Sequence, residues 1–246
     1  MQAIILAAGF GKRLRPLTDT LPKALVPVKG APLLLHALDC LARCGRITEV
    51  ILVVGHRKQD IMNAVGEEHR GMAITYVENP VYEKTNNVYS LFLAKPYVHE
   101  ACLLLECDIY YTDDLIAHLL SGEAECNILV SPFNAATMNG SVIFADEDER
   151  CRSLVIKRDQ PADFDYSMAL KTVNAYYFEA EFMTRVLMPH LQNYIETEGV
   201  DSYYELVIGG LIYYGNHDIR VLRIPAERWY EVDSTEDLAI AEKAPF

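Results

Sequence analysis

The first half of the chain alternates between short apolar runs and longer segments whose apolar residues recur with helical spacing. The apolar runs predict strands at residues 3–8, 48–55, 73–78, 101–108 and 126–131. The helical spacing predicts helices at residues 33–44, 58–68, 87–97 and 112–121. Polar residues do not alternate within the runs, so we expect strands that are buried on both faces. This order predicts an α/β fold with a Rossmann-like, mostly parallel mixed sheet covered by helices on both faces.

The pattern changes in the second half, from about residue 139. Polar, turn-like residues separate three apolar segments at 141–146, 153–158 and 171–178. These segments predict a small antiparallel excursion rather than further strand–helix–strand units. Helices at 179–192 and 202–214, a strand at 219–224 and a last helix after residue 234 complete the prediction. Because no linker-like stretch divides the sequence, we expect a single domain over residues 1–246.

The composition is that of a folded, acidic protein. Hydrophobic residues make up 51% of the 246 residues, which excludes disorder as the main state. The formal net charge of −13 provides no overall basic field, so we expect no nucleic-acid partner. No apolar run approaches the roughly 18 residues of a membrane span, and no basic region precedes the apolar N-terminal stretch. We therefore expect a cytoplasmic protein without membrane insertion. The six scattered cysteines predict buried thiols rather than a zinc site.

A glycine-rich turn with clustered basic residues follows the first predicted strand. Gly9 and Gly11 would let the backbone approach a ligand closely. The basic residues that follow them are Lys12, Arg13, Arg15 and Lys23. The turn is not a dinucleotide fingerprint, because Leu14 stands where a third glycine belongs, and it is not a P-loop. A basic surface loop is the alternative, but glycines and basic residues together favour a polyphosphate site.

The segment LAAGFGKRLRPLTDTLPKAL resembles the signature of the sugar-phosphate nucleotidyltransferase family, L-A-A-G-x-G-x-R-x-x-P-x-T followed by P-K. The resemblance implies that Arg13 contacts the triphosphate and that Lys23 contacts the phosphates around the reacting α-phosphorus. Both are therefore candidate catalytic residues. The other loop residues expected to bind the nucleotide are Leu6, Ala7, Ala8, Gly9, Gly11 and Lys12. The resemblance also implies a nucleotide-binding half at 1–131 and an acceptor-binding half at 132–246.

Two acidic segments are the candidates for a metal site. Glu106 and Asp108 end a predicted buried strand, where the ligands of open parallel sheets bind. Alternation along a later strand places Glu231 and Asp233 on one face. Asp108 and Asp233 facing a triphosphate predict Mg²⁺ ligands, and the resemblance implies the same pair. Glu106 is a candidate nucleotide-binding residue. The alternative for Asp233 is a cap on the last helix, a role that Ser234 could fill instead.

The segments expected to bind the base and the acceptor depart from the pattern of hexose-phosphate members. Residues 86–91 read NNVYSL instead of a G-L-A-Q-A-like segment, and residues 157–161 read KRDQP instead of E-K-P. The first of these, with residues 171–174 and 201–205, is similar to the branch of phosphocholine and aminoalkylphosphonate cytidylyltransferases. That similarity implies transfer of CMP from CTP to phosphocholine, phosphoethanolamine or 2-aminoethylphosphonate. The residues expected to read the base are Asn86, Asn87 and Ser90.

An amine head group suits a site of carboxylates and aromatic faces. A helix that opens with residues 201–205 would place Asp201 and Glu205 on one side of it. The candidate acceptor-binding residues are Tyr110, Lys157, Asn174, Tyr203, Tyr204 and Glu205. Packing of helix and strand faces is the alternative for each tyrosine. A hexose-1-phosphate nucleotidyltransferase and a non-catalytic regulatory subunit stay open as functions. A homodimer and a longer fusion protein also fit the sequence.

Overall fold

The computed structural model describes residues 1–246. The α-helices are α1 (Leu33–Cys44), α2 (Lys58–Val65), α3 (Asn87–Leu93), α4 (Leu115–Leu119), α5 (Met188–Glu198), α6 (Tyr204–Tyr214) and α7 (Thr235–Ala241). The first strands are β1 (Gln2–Ala7), β2 (Pro27–Val28), β3 (Ala31–Pro32), β4 (Glu49–Val54), β5 (Glu68–His69), β6 (Met72–Glu78) and β7 (Cys102–Glu106). The remaining strands are β8 (Ile109–Tyr111), β9 (Cys126–Pro132), β10 (Val142–Ala145), β11 (Cys151–Val155), β12 (Leu170–Phe178), β13 (Ile219–Arg223) and β14 (Trp229–Glu231). A π-helical segment, Phe182–Leu187, leads into α5.

The first-half strands form the parallel part of the sheet. β1 pairs in parallel with β4 on one side and with β7 on the other, and β6 extends the sheet beyond β4. Helices α1, α2 and α3 lie in the connections between these strands. This arrangement confirms the predicted Rossmann-like α/β class. Because the strands are parallel, the segments that follow β1 and β7 meet at one edge of the sheet.

The second-half strands are mainly antiparallel. β12 runs antiparallel to β7 on one side and to β9 on the other, whereas β13 is parallel to β9. β10 and β11 form the small antiparallel excursion, which joins the sheet at the start of β12. Asn174 has a φ of 57° at the point where β12 leaves β10 and meets β7. The excursion therefore lies beyond the carboxyl end of β7, close to the edge where ligands bind in such sheets.

The hydrophobic core lies on both faces of the sheet. One cluster packs helices α1, α2 and α4 against one face, with Ile5 and Leu38 among its members. The other packs α3, α5 and α6 against the opposite face, with Ile4 and Leu211 among its members. Neighbouring residues of β1 thus enter different clusters, because side chains alternate along a strand. No helix combines the length and the apolar character that crossing a membrane requires. Five of the six free cysteines are buried, and Cys44 is partly exposed.

Two predicted helices begin later than the sequence indicates. The helix expected at 112–121 is reduced to α4, because residues just before it form β8 and pair with β14. The helix expected from residue 202 begins at Tyr204. The preceding backbone has another partner: the carbonyl groups of Val200 and Ser202 accept hydrogen bonds from the amides of Asn86 and Val88, at 3.1 and 3.2 Å. These bonds tie the start of α3 to the start of α6.

Candidate functional site

A large cleft opens at the carboxyl edge of the parallel strands. Its volume is about 1420 Å³, which exceeds the range of about 300–1,000 Å³ typical of small-molecule sites. The turn after β1 forms one wall, and residues 134 and 137–141 after β9 contribute to another. The cleft therefore has room for two ligands side by side, and both halves of the chain line it.

The glycine turn is folded tightly against Lys23. Gly11 has a φ of 65°, in the left-handed region that suits glycine. A Cβ atom at this position would lie 2.8 Å from the Cβ atom of Lys23, so a side chain there would displace the lysine. Thr18 fixes the same turn by donating a hydrogen bond from its hydroxyl to the Gly11 carbonyl at 2.8 Å. The turn thus sets the position of the Lys23 side chain.

The predicted loop residues nearly all reach the cleft. Those that line it are Leu6, Ala8, Gly9, Gly11, Lys12, Arg13 and Lys23. Ala7 does not, because it lies at the end of β1 with its side chain packed in the core against the α1 face. Ala7 is predicted from the sequence to bind the nucleotide, but its side chain faces the core instead of the cleft.

Three basic and acidic residues from distant parts of the chain converge around Lys23. Its Nζ atom lies 2.5 Å from Oδ2 of Asp108 and 2.5 Å from Oδ1 of Asp233. Arg13 approaches the same carboxylate, with Nη2 2.6 Å from Oδ2 of Asp233. The ribbon of β8 and β14 brings the two carboxylates together, since the Val232 amide donates a hydrogen bond to the Asp108 carbonyl at 2.8 Å. We call Arg13, Lys23, Asp108 and Asp233 the charged cluster.

Within the charged cluster, Lys23 and Asp233 favour each other's charged forms, because their opposite charges outweigh the effect of burial. Burial by itself lowers the pKa of Lys23, but the carboxylates of Asp108 and Asp233 raise this pKa above its ordinary value. Burial by itself raises the pKa of Asp233, but the charges and hydrogen bonds of Lys23 and Arg13 bring it below the usual range. Lys23 and Asp233 therefore form a mutually stabilised ion pair in the cleft.

The carboxylates of the charged cluster fit a divalent cation that a bound phosphate completes. Oδ1 of Asp108 is buried and has no hydrogen-bond partner, so it is available to a cation. No group of three or more His, Cys, Asp or Glu side chains forms a closed metal site in the chain. Mg²⁺ commonly takes only one or two protein carboxylates and completes its shell with waters and phosphate oxygens. Asp108 and Asp233 suit that kind of site.

The last helix leaves Asp233 free of a capping role. Ser234 is the N-cap of α7 and accepts a hydrogen bond from the amide of Asp237 at 3.1 Å. The Asp237 carboxylate accepts a hydrogen bond from the Ser234 amide at 2.9 Å in return, which forms a capping box. The side chain of Asp233 can therefore point into the cleft.

A second set of ionisable groups lines the same cleft. Glu106, Glu205 and Glu231 line it together with Lys171 and Asn174, and we call these five residues the deep acidic pocket. Lys171 is buried, and its Nζ atom lies 3.2 Å from Oε2 of Glu231. The sequence analysis missed Lys171 as a site residue. Its signal is a lysine within an apolar strand, which requires a partner for a buried charge.

The amide of Asn87 joins two carboxylates of the deep acidic pocket. Its Nδ2 atom lies 3.3 Å from Oε1 of Glu106 and 3.3 Å from Oε2 of Glu205. Its Oδ1 atom accepts a hydrogen bond from the Tyr204 amide at 3.0 Å. Both ends of this side chain are thus engaged within the protein, so Asn87 links the starts of α3 and α6.

Burial dominates the ionisation of the deep acidic pocket. It raises the pKa of Glu205 above its ordinary value. It also raises the pKa of Glu106, and the negative charges of Asp108 and Glu205 raise it further. Burial raises the pKa of Glu231 as well, although Lys171 opposes the shift. Glu106 and Glu205 form no ion pair within the protein, in contrast to Asp233 and Glu231.

The remaining residues expected to read the base lie at the start of α3. Asn86 caps this helix, its Oδ1 atom accepting a hydrogen bond from the Asn87 amide at 2.9 Å. Ser90 is buried at the cleft wall, where its hydroxyl accepts a hydrogen bond from Nδ2 of Asn79 at 3.1 Å. Asn79 lines the cleft but is absent from the sequence-based candidates, since a lone asparagine after a strand is indistinguishable from a turn residue.

The candidate acceptor-binding residues divide into two groups. The ones that line the cleft are Lys157, Asn174, Tyr203 and Glu205. Tyr204 lies instead in the core, edge-on to Tyr176 with ring centroids 5.7 Å apart. Tyr110 stacks on Phe246 with ring centroids 5.3 Å apart, in a small cluster outside the cleft. Neither tyrosine lines the cleft, so the prediction that they bind the acceptor is not supported by their positions.

Asp201 and Glu205 do not share one side of a helix, contrary to the prediction from the sequence. Asp201 precedes α6, so a helical turn does not relate the two side chains. Both nevertheless reach the cleft, because the chain turns into α6 beside it. Tyr203 stands at the cleft mouth and is 39% exposed, which leaves one tyrosine of the doublet available to a ligand.

Known proteins similar to this chain belong to the same family that the sequence of the glycine turn resembles. Residues 2–207 match the family model described as Nucleotidyl transferase. A CMP-5'-(3-aminopropyl)phosphonate synthase of Streptomyces rubellomurinus is 34% identical over 96% of this chain, which spans 37% of that protein's length. A 2-aminoethylphosphonate cytidylyltransferase of Lancefieldella rimae is 27% identical over 96% of this chain and 90% of its own length.

A solved structure supports the fold independently. The CTP:phosphocholine cytidylyltransferase of Streptococcus pneumoniae superposes with a TM-score of 0.77 at 24% identity, covering 98% of this chain and 97% of its own. With the family model spanning most of the sequence, these matches confirm the resemblance seen in the glycine turn. The chain belongs to the nucleotidyl transferase family.

Proposed function

We propose that this chain transfers CMP from CTP to a small phosphorylated or phosphonylated amino alcohol and releases pyrophosphate. The observation that carries the proposal is the pairing of two sites in one cleft: the charged cluster and, beside it, the deep acidic pocket. Polyphosphate binding suits the first, and an amine-bearing acceptor suits the second. The names of the Streptomyces and Lancefieldella relatives, both aminoalkylphosphonate enzymes, support the same acceptor class.

In the proposed reaction an oxygen of the acceptor phosphate or phosphonate attacks the α-phosphorus of CTP. A new P–O bond forms as the bond to pyrophosphate breaks, and the electron pair leaves with pyrophosphate. The acceptor is already anionic, so no side chain is required as a nucleophile or base. The protein contributes by positioning the two ligands and neutralising charge.

Each residue of the charged cluster has a proposed role in that step. Arg13 holds the triphosphate at the glycine turn, and Lys23 stabilises the negative charge that develops around the α-phosphate. Asp108 and Asp233 would hold Mg²⁺, which neutralises phosphate charge when it is bound. Lys23 forms ion pairs with both of these carboxylates, so it would compete with a metal cation for them.

The two halves of the chain have different proposed tasks. Residues 1–131 provide the glycine turn and the start of α3, where Asn86 and Ser90 would read the base. Residues 132–246 provide Lys157, Asn174, Tyr203 and Glu205 for the acceptor. The division is incomplete at the reacting centre, because Asp233 comes from the second half and Asp108 from the first.

Pyrophosphate release tests the proposal. CTP, UTP, ATP and GTP are each combined with phosphocholine, phosphoethanolamine, 2-aminoethylphosphonate and glucose-1-phosphate in the presence of Mg²⁺. We expect turnover with CTP and at least one amine-bearing acceptor, and none with glucose-1-phosphate. Faster turnover with glucose-1-phosphate would replace the proposal by a hexose-1-phosphate nucleotidyltransferase. No turnover with any combination would favour a regulatory subunit.

A further inference from the structure

The deep acidic pocket has more negative than positive groups. It contains the carboxyl groups of Glu106, Glu205 and Glu231 but only one ammonium group, that of Lys171. Lys171 forms an ion pair with Glu231. The side-chain hydrogen bonds of Glu106 and Glu205 come from the neutral amide of Asn87. A buried carboxylate without a cation is unfavourable, so these two groups attract a positively charged ligand.

Asn174 adds an acceptor without a partner beside these carboxylates. Its Oδ1 atom is buried and has no hydrogen bond within the protein. Asn174 precedes Ala175, whose partner across the β7–β12 pair is Leu105, so Asn174 lies next to Glu106 at the end of that pairing. Its φ of 57° is a conformation that non-glycine residues adopt rarely. The backbone thus departs from regular strand geometry at Asn174, and the Oδ1 atom of this residue can accept a hydrogen bond from a ligand.

The aromatic rings nearest the deep acidic pocket are engaged within the protein, and Tyr230, beside Glu231, stacks on Phe246 with ring centroids 6.1 Å apart. Tyr204 and Tyr176 are fully buried with their rings in the core. Trp229 is covered on one face by Lys171, whose Nζ atom lies 5.9 Å from the ring centroid. Tyr203 stands at the mouth rather than in the depth of the cleft. The groups that this pocket leaves without a cationic or donor partner are therefore mainly oxygen acceptors rather than ring faces.

We infer that the deep acidic pocket selects acceptors that end in a primary ammonium group over those that end in a quaternary ammonium group. The inference rests on the proposed function and narrows its acceptor class. A primary ammonium group carries three N–H donors, which match Glu106, Glu205 and the free oxygen of Asn174. A trimethylammonium group has no donor, and it is recognised mainly by aromatic faces. The deep acidic pocket supplies oxygen acceptors for a primary ammonium group, but it offers few free aromatic faces to a trimethylammonium group.

The first experiment compares acceptors on the unaltered protein with CTP and Mg²⁺. 2-Aminoethylphosphonate is compared with its N,N,N-trimethyl analogue, and phosphoethanolamine with phosphocholine. Each primary amine should have a kcat/KM at least about tenfold above its trimethylated partner, because buried acceptors left without donors penalise the wrong ligand. Equal or better turnover of the trimethylated acceptors would overturn the inference and leave the proposed function intact. Absence of turnover with CTP and every acceptor would overturn both.

The second experiment removes one charge from the pocket. Glu205→Gln should raise the KM for 2-aminoethylphosphonate about tenfold or more, while the KM for CTP and the KM for ethylphosphonate, which has no amine, stay near their original values. Glu83→Gln is the matched control, since Glu83 lines the same cleft but belongs to the exposed segment after β6 and not to the deep acidic pocket. An equal rise in the KM of Glu205→Gln for ethylphosphonate would overturn the inference, because the effect would not depend on the amine. An equal rise in the KM of Glu83→Gln for 2-aminoethylphosphonate would also overturn it.

A third variant tests the oxygen of Asn174 without straining the backbone. Asn174→Gly retains the positive φ that glycine tolerates and deletes only the side chain. It should raise the KM for the primary amine severalfold and leave the KM for its trimethyl analogue unchanged. An identical change for both acceptors would contradict the role of this oxygen as an N–H acceptor.

Discussion

The cleft contains two sets of carboxyl groups that differ in how their charge is compensated. Asp233 of the charged cluster is in contact with Lys23 and Arg13, and its pKa lies below the usual range. Glu205 of the deep acidic pocket is bonded to a neutral amide, and burial raises its pKa. Burial alone would raise the pKa of both groups, so the opposite net shifts depend on whether the protein provides a cation beside the carboxylate.

The difference follows from which segments meet at each place. The charged cluster gathers the turn after β1 and the ribbon of β8 and β14, and that turn is rich in basic residues. The deep acidic pocket gathers the ends of β7, β12 and β14 and the starts of α3 and α6, where Lys171 is the basic residue. The first region is balanced before a ligand arrives, whereas the second needs a cationic ligand. This contrast is the physical basis of the proposed pairing of a triphosphate with an amine.

The largest effect is expected from the carboxylates of the charged cluster. Asp108→Asn or Asp233→Asn should lower kcat by about a thousandfold, because each removes a proposed Mg²⁺ ligand and its charge. EDTA should abolish turnover of the unaltered protein, and Mg²⁺ should restore it. Steady-state pyrophosphate release measures both effects, and circular dichroism checks the fold. The exposed Asp163→Asn is the control; near-normal turnover of either cluster variant would exclude that residue from the reacting centre.

The cation of the charged cluster gives the next largest effect. Lys23→Met should lower kcat about a hundredfold and change the KM for CTP far less, since charge near the α-phosphate matters most in the transition state. Without nucleotide, the same variant should bind Mn²⁺ about tenfold more tightly, because the lysine no longer competes for the two carboxylates. Isothermal titration calorimetry measures the second effect, with the surface variant Lys84→Met as control. Weaker Mn²⁺ binding would contradict this competition.

A smaller effect is expected on the preference for one nucleotide base. It tests whether the nucleotide side of the cleft also recognises its ligand through polar groups. The unaltered protein should favour CTP over UTP by about a hundredfold in kcat/KM, because a wrong base leaves buried hydrogen-bonding groups unpaired. Ser90→Ala should reduce this ratio, and it should alter the KM for the acceptor little. Equal rates with CTP and UTP would contradict the assignment of Asn86 and Ser90 to base recognition.

The smallest effect is expected from the support of the charged cluster. Ser234→Ala removes the N-cap of α7 and should lower the free energy of unfolding by about 1 kcal/mol. Urea denaturation measures this change. Thr235→Ala is the control, because it removes a neighbouring hydroxyl that does not cap the helix. A loss of activity much greater than the loss of stability would show that the cap also positions Asp233.

The sequence by itself determined the order of strands and helices, the α/β class, the family and the glycine turn. These features depend on local periodicity and on a contiguous motif, which a single chain displays directly. It also indicated Asp108 and Asp233, because each stands at a predicted strand end. The structure placed both in one cleft within 2.5 Å of Lys23.

Only the tertiary structure decided which partner each side chain has. Periodicity indicates that a residue is buried, but not what it is buried against, so Tyr204 was expected in the acceptor site and lies in the core. Lys171 gained its place because β12 brings it to Glu231 across the cleft. The late start of α6 likewise depends on hydrogen bonds to α3, more than a hundred residues earlier in the chain. Charge compensation in the cleft is set by such long-range contacts, and no local pattern encodes them.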